Sequence, residues 1–172
     1  MKLTDPFRCL LLGCLLMSCS TPETPQGVAV QVDRVVSGNT LEVSNPRETF
    51  PQPQRVRLLG IDAPDLKQDP WGEEAKQQLE RWTEGHSVVL ETDTELEDIY
   101  GRQLAYVWRD GELINEELLK QGMAIAVVRS PNTKYQQRFA DAQEWARLMG
   151  RGIWNPKQPL RQTPSQFRRL QR

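Results

Sequence analysis

Apolar and polar positions alternate through Val28, Val30 and Val32, with Ala29, Gln31 and Asp33 between them, a period of two that predicts a half-buried strand running toward Val36. Ser37-Gly38-Asn39 is turn chemistry, so residues 40–43 complete a hairpin. A polar, proline-broken stretch follows, and residues 54–62 (QRVRLLGID) then predict a third strand closed by Ala63-Pro64. The period changes at residue 69. Asp69-Pro70 reads as an N-cap and an N1 proline, Glu73 and Glu74 suit the positive end of a helix dipole, and Ala75, Leu79 and Trp82 recur at helical spacing. A helix of about three turns is expected there. Residues 87–92 and 103–108 predict two more strands. Asn115 is placed to cap a short helix that stops at Gly122, and Tyr135, Phe139, Ala142, Ala146 and Met149 draw the stripe of a third helix ended by Gly150. Strands first and helices interspersed later predict an α+β fold with a small barrel.

The N-terminal segment carries a different signal. Residues 9–17 are apolar and follow Lys2 and Arg8; a membrane-crossing helix needs about 20 such residues, so this reads as the core of a signal peptide, residues 1–18. It ends in Leu16-Met17-Ser18-Cys19, which resembles the lipobox of bacterial lipoproteins. That resemblance implies cleavage before Cys19, lipid attachment to its thiol, and an exported protein anchored to the membrane of a bacterial cell envelope. An ordinary secretory signal cut near Ser18 is the alternative. Cys9 and Cys14 would leave with the signal, so a disulfide is excluded in the mature chain. Residues 19–27 then form a polar tether, 28–156 one domain, and 157–172 a basic, flexible tail.

Charge adds one constraint. The 172 residues hold 22 Lys and Arg against 23 Asp and Glu, a net charge of -1. The balance conceals five cations after residue 156 and a surplus of acid before it, so any phosphate site in the body of the domain must be a local one. With 38% hydrophobic residues, wholesale disorder is excluded.

Three short stretches bear chemistry: Ser37-Gly38-Asn39-Thr40 in the first turn, Arg57 to Asp65 at the end of the third strand, and Tyr100-Gly101-Arg102 opening the fifth. Carboxylates at a strand end suit a hard cation such as Ca²⁺, and the guanidinium fork suits phosphate. Strict alternation would set Arg57 and Asp62 on opposite faces, so only a bulge, or the chain leaving the strand near Gly60, can bring them together. By themselves, Arg57 and Arg102 also suit structural ion pairs with Asp62 or Asp98, and Asp65 suits an Asx-turn. His86 has no second His or Cys beside it and reads as a surface residue. The five tryptophans read as packing residues, with Trp108 near a barrel surface, and the acidic run over 91–98 reads as a solvated turn.

The arrangement resembles the staphylococcal nuclease (thermonuclease) family from about Val30 to Trp154. The most specific stretches are Asp98-Ile-Tyr-Gly-Arg102-Gln-Leu-Ala-Tyr-Val-Trp108, Asp110-Gly111 with Asn115 to Ala124, and Arg57 to Asp65. The resemblance implies a five-stranded OB barrel with three helices and Ca²⁺-dependent hydrolysis of phosphodiester bonds in DNA or RNA; a monomer is expected. Carried over residue by residue, it implies that Arg57 binds the reacting phosphate and Arg102 stabilises its transition state. It implies that Asp62 and the Ala63 carbonyl bind the metal, and that Tyr100 touches substrate. Two positions depart from the family pattern. Asn39 stands where the family has a second metal-binding aspartate, and keeps an oxygen while losing a charge. Asp65 stands where the family has the glutamate that handles the attacking water, and is shorter by about 1.5 Å. Val127 and Arg129 stand where the family's best-known member has nucleotide-packing tyrosines. A catalytically impaired nucleic-acid-binding or envelope interaction module is the alternative function.

Overall fold

A computed structural model describes residues 25–45 and 53–171; Cys19, the signal segment and most of the tether lie outside them. β1 (Val28–Ser37) pairs antiparallel with β2 (Thr40–Ser44) on one side and with β5 (Ser87–Glu91) on the other. β2 pairs with β3 (Gln54–Leu58), and β6 (Gln103–Arg109) joins β5 antiparallel to β3 parallel, which closes a five-stranded barrel. This is the expected OB-type α+β architecture. Alternation along each strand sends Val32, Leu41, Val56 and Val107 into the interior, where they are fully buried.

The strand expected over 54–62 is in fact two. β3 ends at Leu58, the chain turns at Gly60 with φ +72°, and β4 (Ile61–Asp62) leaves the barrel to pair with β8 (Ile125–Ala126). Any side chain at Gly60 would also meet the Phe139 ring, 2.4 Å from an ideal Cβ.

Three helix expectations need correction. In α1 (Trp71–Thr83) the N-cap is Pro70 and makes no side-chain cap. Asp69 stands one residue too early, and the Gln68 and Pro70 carbonyls accept from the Gly72 and Glu74 amides instead. The short α2 (Ile114–Lys120) follows the two-residue β7 (Glu112–Leu113), and Leu113, not Asn115, is its N-cap. Asn115 is 0% exposed and ties three elements together, accepting from Val107 N at 2.9 Å and donating to Leu59 O at 2.8 Å. Asn115→Ala should therefore leave two buried backbone groups without partners and lower stability by at least about 2 kcal/mol, read as a shift of the urea unfolding midpoint at unchanged slope. α3 (Gln136–Leu148) buries Phe139, Ala142 and Ala146 as its stripe predicts, but Met149, past its end, is exposed.

The acidic run is not wholly solvated. Glu91 is buried and accepts from Trp108 Nε1 at 2.7 Å and Tyr135 Oη at 2.9 Å, with Lys134 as its ion-pair partner. Trp108 is likewise buried rather than near the barrel surface. The desolvation of that carboxylate is offset by three donors.

The C-terminal stretch also departs from expectation. After a 3-10 turn (Gly152–Trp154), Thr163 and Gln166 form a reciprocal capping box that starts α4 (Pro164–Leu170). The described residues thus hold four α-helices, one more than the three expected. None is long and apolar enough to cross a membrane.

Candidate active site

Arg57 and Asp62 meet because of the Gly60 turn. Arg57 lies on β3 opposite Thr40, and its guanidinium reaches past the strand end to the Leu58 carbonyl at 2.5 Å and the Ile61 carbonyl at 2.7 Å. From there Nη2 lies 3.4 Å from Asp62 Oδ1. Burial pushes the Arg57 pKa down to about 10; Asp62 opposes that shift, while Arg102, Arg129 and Arg168 add to it. The group is a cation at neutral pH, held rigidly in a low-dielectric wall.

The first turn closes the other side. The Leu58 amide donates to the Asn39 carbonyl at 3.0 Å, which fixes the hairpin tip against the end of β3. The buried Asn39 amide takes the orientation that satisfies its surroundings: its oxygen accepts from Ala63 N at 2.9 Å and Arg57 Nη2 at 3.1 Å, and its nitrogen donates to Ser37 Oγ at 3.2 Å. Ala63 is buried directly after Asp62. Asp65 is half-buried, and its Oδ1 accepts from the Lys67 amide at 3.0 Å, the Asx-turn its sequence position suits. Its own amide donates to Gln68 Oε1 at 3.0 Å. The loop packs on the first turn of α1 so closely that a Cβ on Gly72 would lie 2.0 Å from the Asp65 carbonyl oxygen. Glycine there is what lets Asp65 sit where it does.

Arg102 opens β6. Its guanidinium grips Asp98 Oδ2 through Nε at 2.7 Å and Nη2 at 2.6 Å, and its amide donates to Asp98 Oδ1 at 3.1 Å. Burial works against ionisation of Asp98, but the Arg102 side chain, helped by the Arg102 and Tyr100 amides, holds its carboxyl below the usual range. Tyr100 is 70% exposed, with the Arg102 guanidinium 5.5 Å from its ring centre, and so presents an aromatic face beside the cations. Val127 is half-buried and Arg129 exposed.

One residue of this centre escapes the reading of the sequence. Arg168, on α4, places Nη2 2.6 Å from Asp62 Oδ2. Its sole signal in the sequence is membership of a basic tail, which does not distinguish it from Arg161 or Arg169.

The chemistry on offer is electrostatic. Arg57 on β3 and Arg168 on α4 pair with Asp62, and Arg102, just before β6, pairs with Asp98 and helps to lower the Arg57 pKa, a gathering of cations that suits an anion with several oxygens. Among the described residues no group of three or more His, Cys, Asp or Glu is arranged to hold a metal ion. What remains is the Asp62 carboxylate, the Asn39 amide and the Ala63 carbonyl. These are hard oxygen donors that fit calcium in kind and carry one negative charge, with water left to complete the shell.

A closed five-stranded barrel whose mouth gathers Arg57, Asp62 and Arg102 defines an OB-fold domain of the nuclease type. Residues 55–156 match the family model described as staphylococcal nuclease homologue. The chain is 37% identical over 130 residues to the thermonuclease of Staphylococcus hyicus, covering 73% of this chain and 75% of that one. It is 35% identical over 134 residues to the thermonuclease of Staphylococcus intermedius, covering 75% and 77%. With endonuclease YncB of Bacillus subtilis it shares 35% identity over 137 residues, covering 74% of this chain and 62% of that protein. The chain belongs to the staphylococcal nuclease family.

Proposed function

We propose that this domain is a calcium-dependent nuclease that hydrolyses phosphodiester bonds of DNA or RNA. The observation that carries the reading is the proximity of Arg57, on β3, and Arg102, just before its parallel neighbour β6, beside the buried Asp62 in a chain whose relatives are named thermonuclease and endonuclease. Calcium held by Asp62, Asn39 and the Ala63 carbonyl would supply positive charge to the phosphate oxygens when bound. Arg57, locked by two backbone carbonyls, binds a nonbridging oxygen of the reacting phosphate. Arg102 turns from Asp98 to the charge that grows as water attacks phosphorus in line and the P–O bond opposite breaks, its leaving oxygen taking a proton from solvent. Asp65 orients that water and accepts its proton. Tyr100 offers a stacking face to the neighbouring sugar or base.

The test is incubation of the purified domain with single-stranded DNA and RNA, with Ca²⁺ or with chelator. Metal-dependent cleavage of either is expected; none at any enzyme concentration would overturn the reading. A second reading is favoured by Asn39 and Asp65: an impaired domain that holds nucleic acid without cutting it. It predicts salt-sensitive binding with no product.

We place the protein outside the cytoplasm, a monomer tethered to the bacterial envelope through lipid on Cys19. The lipobox-like Leu16 to Cys19 supports the anchor. Two or three acyl chains hold a protein firmly, so Cys19→Ser should move it from the membrane to the soluble fraction. Parent protein already soluble, with another N-terminal residue, would refute the anchor.

A further inference from the structure

The C-terminal arm is fastened onto the loop that carries the site. The Leu160 amide donates to the Ile153 carbonyl at 2.9 Å, and Gln68 Nε2 donates to the Gln162 carbonyl at 2.9 Å. Gln68 is the same side chain that accepts from the Asp65 amide. Pro164 is buried, the capping box starts α4, and the helix lays Arg168 on Asp62. Asp62 has two oxygens and both face arginine: Oδ1 toward Arg57 at 3.4 Å, Oδ2 toward Arg168 at 2.6 Å.

A divalent cation on Asp62 needs a carboxylate oxygen and repels any guanidinium that shares it. The two arginines are not equally able to yield. Arg57 has a side chain only 12% exposed and tied to two carbonyls, whereas that of Arg168 is 40% exposed and enters from a seven-residue helix at the periphery. We infer that Arg168 is the resident counter-cation of Asp62, and that a divalent metal ion binds by displacing it. The C-terminal arm thereby sets the metal affinity of the site and loosens when metal enters. This rests on the reading of Asp62 as a metal carboxylate. It makes Arg168 a positioning residue, whose effect runs through Asp62.

The experiment titrates Ca²⁺ by calorimetry into the metal-free parent, Arg168→Gln, Arg168→Lys and Asp62→Asn, and follows hydrogen exchange of residues 164–170 in the parent with and without Ca²⁺. Arg168→Gln is expected to bind Ca²⁺ about two- to fivefold more tightly, the change that follows loss of a partly exposed ion pair. Arg168→Lys should return most of the parental affinity, and Ca²⁺ should speed exchange in the arm. Equal or weaker binding by Arg168→Gln, or an arm whose exchange ignores Ca²⁺, overturns the inference and leaves the metal reading standing so long as Asp62→Asn still loses binding. If no variant binds Ca²⁺, or Asp62→Asn binds as the parent does, the metal reading itself fails and takes the inference with it.

Discussion

Arg102→Ala should lower the rate of the cleavage step by about 100- to 1000-fold while leaving the melting temperature nearly unchanged. The two halves of that expectation come from the same geometry. In the free protein Arg102 spends its charge on Asp98, a pair in which both side chains are partly exposed, and such pairs add little to stability. In the proposed mechanism the same guanidinium turns to the negative charge of the transition state, where a positioned donor is worth most. Arg102→Lys should recover only a small part, because a single ammonium cannot reproduce the fork that now bonds Asp98 through two nitrogens. Single-turnover cleavage at saturating Ca²⁺, beside thermal melts, reads both quantities. Retention of most of the rate in Arg102→Ala would remove this arginine from the mechanism.

Asp65→Glu should raise turnover, by up to about 100-fold if the shorter side chain now leaves the water about 1 Å out of place. The loop is held on both sides, through the Asp65 amide to Gln68 and through the Asp65 carbonyl against Gly72, so the added methylene extends the carboxylate rather than moving the backbone. Asn39→Asp should act differently. It adds a charge to the proposed metal ligands and so should lower the Ca²⁺ needed for half-maximal rate, with little effect at saturation. Cleavage rate against Ca²⁺ for the parent, the two variants and their combination separates the effects. Should a properly folded Asp65→Glu cleave no faster, the site has been rebuilt around the aspartate and its present bond to the Lys67 amide.

Much of the barrel was legible because its causes are local. The period-two run from Val28, the Ser37-Gly38-Asn39 turn and the glycines at 122 and 150 act through neighbours along the chain, and each of those element ends falls close to where they put it. The helix caps differ from those the sequence suggests for a related reason. Asp69 and Asn115 are residue types that cap well, but competing partners decided their roles: carbonyls of the preceding loop at α1, and the β6 and Leu59 backbone for Asn115. Composition suggests a solvated Glu91 and a near-surface Trp108, yet both are buried, because Glu91 accepts from Trp108 Nε1 and Tyr135 Oη.

By itself the sequence determined the approximate course of the barrel's strands and the residue types available at its mouth, because backbone sterics and hydrophobic period operate over a few residues; it left open the break at Gly60 as one of two ways to bring Arg57 and Asp62 together. It also carried the family's motif at Arg57, Asp62 and Arg102. Only the tertiary structure decided which charges face one another. Arg168 lies 106 residues from Asp62 along the chain, and no spacing rule connects them. Their pairing exists because α4 is capped, docked through Gln68 and turned toward the barrel mouth, and ion pairing depends on distance through space, to which position along the chain is indifferent.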